Sequence, residues 1–217
     1  MESNTIRLID KNRIIVIVRG VQSDKLIRLA EAMYDGGIRL IEITYSPDGS
    51  VTDEETADNI YSLTNYFGDN MCIGAGTVLT TKQVELTKDA GGRFIISPDT
   101  VPEVIKKTKE MRMVSIPGAL TPSEVTLAHR SGADFVKIFP AVNLGTEYVK
   151  AIKAPLSHIK LLAVGGVSDI NMTDYLKAGV CGFGIGSNIV DRKMINNDDF
   201  DGISELAKKY VSVINGD

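Results

Sequence analysis

Lys137 is the single charge in the apolar run Phe135-Val136-Lys137-Ile138-Phe139-Pro140, with an aromatic ring two residues away on either side. Side chains alternate along a strand, so Lys137 shares a face with Phe135 and Phe139, while Val136 and Ile138 share the other. Val and Ile suit a helix-covered outer surface, which leaves the lysine facing inward. Burying an ammonium there is costly unless it is paired or gives up its proton. Desolvation lowers a lysine pKa, and a neutral amine attacks carbonyls. The chemistry this points to is imine formation with a ketone. Against it stands the ordinary fate of a strand lysine, which snorkels to solvent with a carboxylate as a surface partner.

A second group falls on an inner face by the same count. In Leu40-Ile41-Glu42-Ile43-Thr44, Glu42 points with Leu40 and Thr44, away from Ile41 and Ile43. An inward acid beside an inward amine is a candidate general acid–base. Glycines supply a third feature. Gly165-Gly166 follows one strand, and Gly186-Ser187 opens a short helical turn after the next. Backbone N–H groups can approach an anion closely at glycine, and a helical N-terminus adds partial positive charge, so these segments suit a phosphate. Gly182-Phe183-Gly184-Ile185-Gly186 has glycines spaced somewhat like a dinucleotide fingerprint. It ends the last strand where that motif must follow the first, and it is set aside.

The elements that must position these groups alternate along the whole chain. A helical turn around Thr5 to Lys11 precedes strands at 14–19, 38–44, 71–77, 93–97, 112–117, 134–139, 159–164 and 180–185. Helices separate them at 24–35, 53–67, 81–90, 101–110, 122–131, 146–152 and 170–178, and a last one covers 199–213. Ala90-Gly91-Gly92, Ser131-Gly132 and Ala178-Gly179 read as left-handed caps feeding short loops into the next strand. Eight βα units in 217 residues predict a single (β/α)8 TIM barrel spanning 1–217, with a short N-terminal helix. A doubly wound sheet is the alternative and needs fewer units. In a barrel the reactive groups belong at the C-terminal strand ends, where Arg19, Thr44, Thr77, Pro98, Lys137, Val164 and Gly186 all fall.

Composition narrows the partners. A formal net charge of −4 disfavours nucleic acid, so an anionic ligand needs local donors. Cys72 and Cys181 lie in apolar stretches, and His129 and His158 are isolated, so neither a metal site nor a cofactor is expected. Unpaired thiols suit a reduced compartment. The charged N-terminal dozen is followed by no long apolar run, so neither a signal peptide nor a membrane span is expected, and the chain reads as cytoplasmic. Asn171-Met172-Thr173 matches a glycosylation acceptor by chance in such a setting.

Taken in order, Ile41-Glu42-Ile43-Thr44, Gly74-Ala75-Gly76-Thr77-Val78, Ile96-Ser97-Pro98, Pro117-Gly118, Thr121-Pro122-Ser123-Glu124, Val136-Lys137-Ile138-Phe139-Pro140, Gly165-Gly166-Val167 and Gly186-Ser187 resemble one family over nearly the whole chain. It is the class I 2-keto-3-deoxy-6-phosphogluconate (KDPG) and 4-hydroxy-2-oxoglutarate (KHG) aldolases. The resemblance implies a metal-free homotrimer of barrels acting on a small 2-keto acid. Position by position, it makes Lys137 the imine former and Glu42 the proton shuttle. Arg19 and Thr77 would hold the keto-acid end, with Thr44, Pro98 and Val164 completing the substrate contacts. Phe139 and Pro140 would shape the wall beside the lysine, and Gly165, Gly166, Gly186 and Ser187 would hold the phosphate.

Two stretches depart from the pattern. Tyr45-Ser46-Pro47 lacks an arginine that some members use for the substrate carboxylate. Ala163-Val164 replaces the Pro-Thr of many members and resembles the branch acting on the galactonate epimer. Two rivals keep the same scaffold: a phosphate-binding epimerase or isomerase, and a non-catalytic sugar-phosphate sensor. The stretch 48–56 reads as a longer loop near the mouth of the site.

Overall fold

The computed structural model describes residues 2–216; Met1 and Asp217, the ends of the expected 1–217 unit, lie outside them. Strands β1 (Ile14–Val18), β2 (Leu40–Thr44), β3 (Cys72–Gly76), β4 (Phe94–Ile96), β5 (Val114–Ile116), β6 (Gly118–Ala119), β7 (Val136–Ile138), β8 (Leu161–Val164) and β9 (Gly182–Ile185) form one sheet. All neighbours are parallel, in the order β5-β4-β3-β2-β1-β9-β8-β7-β6. The two ends of that order are consecutive in the chain and are parted only by Pro117. Proline has no N–H to donate, so the expected fifth strand breaks there. Its first half pairs with β4 and its second with β7. The count of strands thus becomes nine, and the sheet closes on itself as an α/β barrel.

The seam is well bonded. Lys137 N–H donates to Pro117 O at 2.8 Å and Phe139 N–H to Ala119 O at 3.2 Å. Lower down, Asp134 N–H donates to Ser115 O at 3.0 Å, and Ser115 N–H donates back to Asp134 Oδ2 at 2.8 Å.

Around the sheet run α1 (Glu2–Asn12), α2 (Ser23–Asp35), α3 (Asp53–Phe67), α4 (Thr81–Asp89), α5 (Pro102–Glu110), α6 (Pro122–Arg130), α7 (Gly145–Lys153), α8 (Met172–Lys177), α9 (Arg192–Asn196) and α10 (Phe200–Asn215). Their starts are encoded locally. Thr80 with Gln83, and Thr121 with Glu124, each form a reciprocal capping box. Their ends explain why several strands begin about two residues later than the apolar runs suggest. After α2, α4, α6 and α8 a residue with positive φ (Gly37, Gly91, Gly132, Gly179) turns the chain back. The next N–H then returns to the helix: Ile38 to Met33 O at 2.9 Å, Ala133 to Ala128 O at 3.1 Å, Val180 to Tyr175 O at 3.3 Å. That is the Schellman pattern, and it uses the donor that a longer strand would need. Arg112 fills the same position after α5 with φ 57.

The core has two shells. Outward residues such as Val16, Ile41, Ile73, Val136 and Phe183 pack under the helices. Inward residues Ile15, Leu40, Cys72, Phe94, Val114, Phe135 and Leu162 fill the lower barrel. The N-terminal segment is more than a turn: α1 places Ile9, 1% exposed, into that inner cluster. It closes the N-terminal end of the barrel. Among the described residues no helix is long and apolar enough to cross a membrane.

Candidate active site

Above the bulky inner layer the inward positions turn small. Gly76 on β3, Gly118 on β6 and Gly184 on β9 take the places where Leu, Phe or Val would continue the packing. A cavity of ≈ 450 Å³ opens there at the C-terminal end of the barrel. It is lined by Lys137, Glu42, Arg19, Thr77, Pro98, Phe139 and Val164, and by Gly165, Gly166, Gly186 and Ser187. Ile17, Val167, Gly184 and Asn188 complete the wall.

Lys137 is 6% exposed and Glu42 2% exposed. Lys137 reaches the cavity with its Nζ 4.6 Å from the Phe139 ring centroid. Burial depresses its pKa below the ordinary lysine range; the Glu42 carboxylate opposes that shift and the Arg19 charge adds to it. Burial acts on the acid in the opposite direction. It raises Glu42 from 4.5 to about 7, held there against the pull of Lys137 and Arg19. Each group is thus driven towards its neutral form by the same dry surroundings. Glu42 Oε2 has no hydrogen-bond partner among the described residues.

The small residues are what let the acid in. A Cβ built on Gly76 would lie 1.8 Å from Glu42 Oε1, so the carboxyl occupies the space that any side chain at 76 would claim. The next residue, Thr77, adopts φ 55. For a β-branched residue that backbone is strained by roughly 1–3 kcal/mol. It leaves the Thr77 hydroxyl where Arg19 Nη2 donates to it at 3.0 Å. Arg19, exposed at the end of β1, is thereby pinned across the mouth.

On the far side, Gly165 and Gly166 have φ 90 and 75, which fits glycine. Asn171 shapes this loop: its Nδ2 donates to Gly166 O at 3.1 Å and its Oδ1 accepts from Ser168 N–H at 2.8 Å. The residue that resembled a glycosylation acceptor is therefore a loop brace. Gly186 O accepts from Ile189 and Val190 N–H, both at 3.0 Å, making the expected single helical turn. The N–H groups of Gly166, Ser187 and Asn188 donate to no acceptor among the described residues. Backbone donors left free at the edge of a cavity suit an anion.

Two of the expected residues sit apart. Thr44 is buried beside a small void with Ser46, Val51 and Thr56, and its hydroxyl has no partner among the described residues. Pro140 follows a cis peptide from Phe139 and backs Gly165, outside the lining. No residue of 48–56 lines the cavity. Ile17 and Gly184 were readable from strand parity, since they share inner faces with Ile15 and Gly182. Asn188 carried no such signal; it is held by its own bond to Val167 O at 3.0 Å.

The arrangement brings together a depressed amine, a raised acid, one arginine and an edge of free N–H groups. Comparison with known proteins points the same way. Residues 5–206 match the family model described as KDPG and KHG aldolase. The 2-dehydro-3-deoxy-6-phosphogalactonate aldolase of Escherichia coli K12 is 34% identical over 177 residues, 81% of this chain and 83% of that one. A native KDPGal structure superposes with a TM-score of 0.84 at 32% identity, covering 94% of both chains. A KDPG aldolase from Legionella pneumophila, with pyruvate captured at low pH as a covalent carbinolamine intermediate, gives 0.84 at 30% identity over 94% of this chain and 96% of that one.

Proposed function

The chain belongs to the KDPG and KHG aldolase family, and on that footing we propose that Lys137 and Glu42 carry out a Schiff-base aldol cleavage of a phosphorylated 2-keto-3-deoxy acid. The observation that supports this reading is the burial of both groups against one cavity, the amine depressed and the acid raised to about 7.

The neutral amine of Lys137 adds to the C2 ketone; the protonated Glu42 gives its proton to the carbinolamine hydroxyl, which leaves as water and yields an iminium beside the Glu42 carboxylate. Glu42 takes the C4 hydroxyl proton; the C3–C4 bond breaks, and its electron pair flows into the iminium as an enamine. Glyceraldehyde 3-phosphate leaves as the aldehyde fragment. Glu42 returns the proton to C3, and water hydrolyses the iminium to release pyruvate and the free lysine, the proton set free in that step going back to the Glu42 carboxylate. One carboxyl serves as base and then as acid, which asks for a pKa near the working pH. Arg19 and Thr77, already hydrogen-bonded, hold the keto-acid carboxylate with Pro98 nearby; Thr44 supports the glutamate strand from its buried position. Phe139, seated on Pro140, walls the lysine. Gly165, Gly166, Gly186 and Ser187 take the phosphate.

Val164 favours the galactonate epimer within this scheme. An apolar side chain stands where a hydroxyl could have read the C4 configuration, and losing a hydrogen-bonding group changes discrimination strongly. 4-Hydroxy-2-oxoglutarate, split to pyruvate and glyoxylate, is the accompanying unphosphorylated substrate. We extend the reading to a cytoplasmic homotrimer, in keeping with the family, the free cysteines and the exposed Leu120, Leu127 and Val142.

The test is covalent capture. Incubation with pyruvate followed by borohydride should add one reduced pyruvyl group, mapped by peptide mass to Lys137. Lys137→Ala should abolish both the adduct and turnover. A wild-type protein that cleaves substrate with no adduct at Lys137 would overturn the assignment, and parallel kinetics on the two C4 epimers rank the substrates.

A further inference from the structure

The cavity does not end at Ser187. A second hollow of ≈ 530 Å³ continues outward from it, sharing Ile17, Arg19, Gly186 and Ser187 with the first. Its outer wall is contributed by Val190, Asp191, Arg192 and Lys193, at the start of α9. The charges in this wall are not equivalent. Asp191 is committed to its own helix, with Oδ1 accepting from Lys193 N–H at 2.8 Å and Met194 N–H at 3.0 Å. Arg192 makes neither ion pair nor hydrogen bond among the described residues, and its guanidinium is seated against Gly20: a Cβ built there would lie 3.1 Å from Arg192 Nη2. Gly20 is the residue after Arg19 and has φ 62, a conformation that excludes most side chains there. The absence of a side chain at 20 therefore lets an arginine from the ninth strand's loop reach over the end of the first.

From this we infer that Arg192 is a specificity-determining residue for the phosphate-bearing end of the substrate. Arg19 is tied to Thr77 on the inner side. Arg192 stands on the outer side, with Ser187 lining both hollows between them. In a chain of net charge −4 a dianion gains little from the overall field, so a local guanidinium at the mouth decides how well it is held. A planar fork can meet two phosphate oxygens at once, which a lysine cannot reproduce. The inference rests on the aldolase reading for its substrate, but its physical content is anion binding and is measurable without turnover.

Two measurements separate the cases. Affinity for inorganic phosphate is read by titration calorimetry on wild type, Arg192→Ala and Arg192→Lys at low ionic strength. The alanine variant should bind phosphate about tenfold more weakly, a charge-assisted hydrogen bond discounted for exposure, with lysine restoring part of the loss. Kinetically, its loss of kcat/KM should lie in KM and be larger for the phosphorylated substrate than for 4-hydroxy-2-oxoglutarate. Unchanged phosphate affinity overturns the inference, as does an equal loss on both substrates. Failure of the aldolase reading shows separately, as absence of the pyruvate adduct in wild type.

Discussion

Replacing Glu42 by glutamine should make the protein more stable above neutral pH while destroying its catalysis. In the folded state burial raises the Glu42 carboxyl from 4.5 to about 7. A raised carboxyl favours the fold only while it is protonated. Its contribution is complete below pH 4.5, declines as pH rises, and is gone above about 7. At about 1.4 kcal/mol per pH unit, that separation amounts to about 3 kcal/mol. Glutamine keeps the shape and never ionises, so the variant escapes the decline. Removing the acid also depresses Lys137 further, because Glu42 is the group that holds it up. That lift exists only while the carboxyl is ionised, and the matching pull of Lys137 on Glu42 is already contained in the value of about 7. The assay is urea unfolding of both proteins at fixed protein concentration, from pH 5 to pH 8. The free-energy difference between them isolates residue 42, since other titrating groups cancel. It should move by about 3 kcal/mol in favour of glutamine across the range. In parallel, kcat should fall by roughly 10²–10⁴ if Glu42 is the acid–base group proposed above. A difference that stays flat with pH would refute the claim that this carboxyl is held near neutrality by burial.

Further perturbations test the frame around the pair. Gly76→Ala puts a methyl 1.8 Å from Glu42 Oε1; displacing the carboxyl should cost about a hundredfold or more in kcat/KM, and Michaelis kinetics on the folded variant would show it. Ile9→Ala empties the stopper of α1 at 1% exposure, and its urea midpoint should report a loss of about 2–4 kcal/mol with kcat unchanged. Arg112→Gly relieves a positive φ of 57 at an exposed helix end; a gain of about 0.5–1 kcal/mol is expected at unchanged m-value.

Period-two alternation made the barrel and the inward faces legible. It turns Lys137 and Glu42 towards one interior, because an apolar outer face leaves a charged residue only one direction. What alternation cannot show is where pairing stops. The apolar runs include residues such as Ile38 and Val180 whose N–H groups close the preceding helix, so the strands appear longer than their ladders. Pro117 carries a local signal, a missing donor, yet its consequence for the seam depends on which strands flank it in space. The cavity wall was half readable. Ile17 and Gly184 follow from parity, whereas Asn188 enters only because its side chain bonds Val167 across the loop. Thr44 shares Glu42's parity but sits where the strand leaves the barrel, and equal parity does not ensure equal access.

The space for chemistry in this barrel is made by omission. Side chains on β2 and β7 can be long at the upper layer because their neighbours on β3 and β6 are Gly74, Gly76 and Gly118. A bulkier residue at any of these meets Phe94, Glu42 or the Pro98 backbone within 2.5 Å. The same omission sets the electrostatics. With both groups buried above a layer of bulky residues, the cavity solvates neither a carboxylate nor an ammonium well, so both charged forms are penalised together. Proton exchange between two such groups moves no net charge out of the site. On the proposed mechanism that shared confinement is the useful property. The amine must be neutral to attack, the acid must accept a proton and then return it, and neither step has to pull a charge out of bulk water.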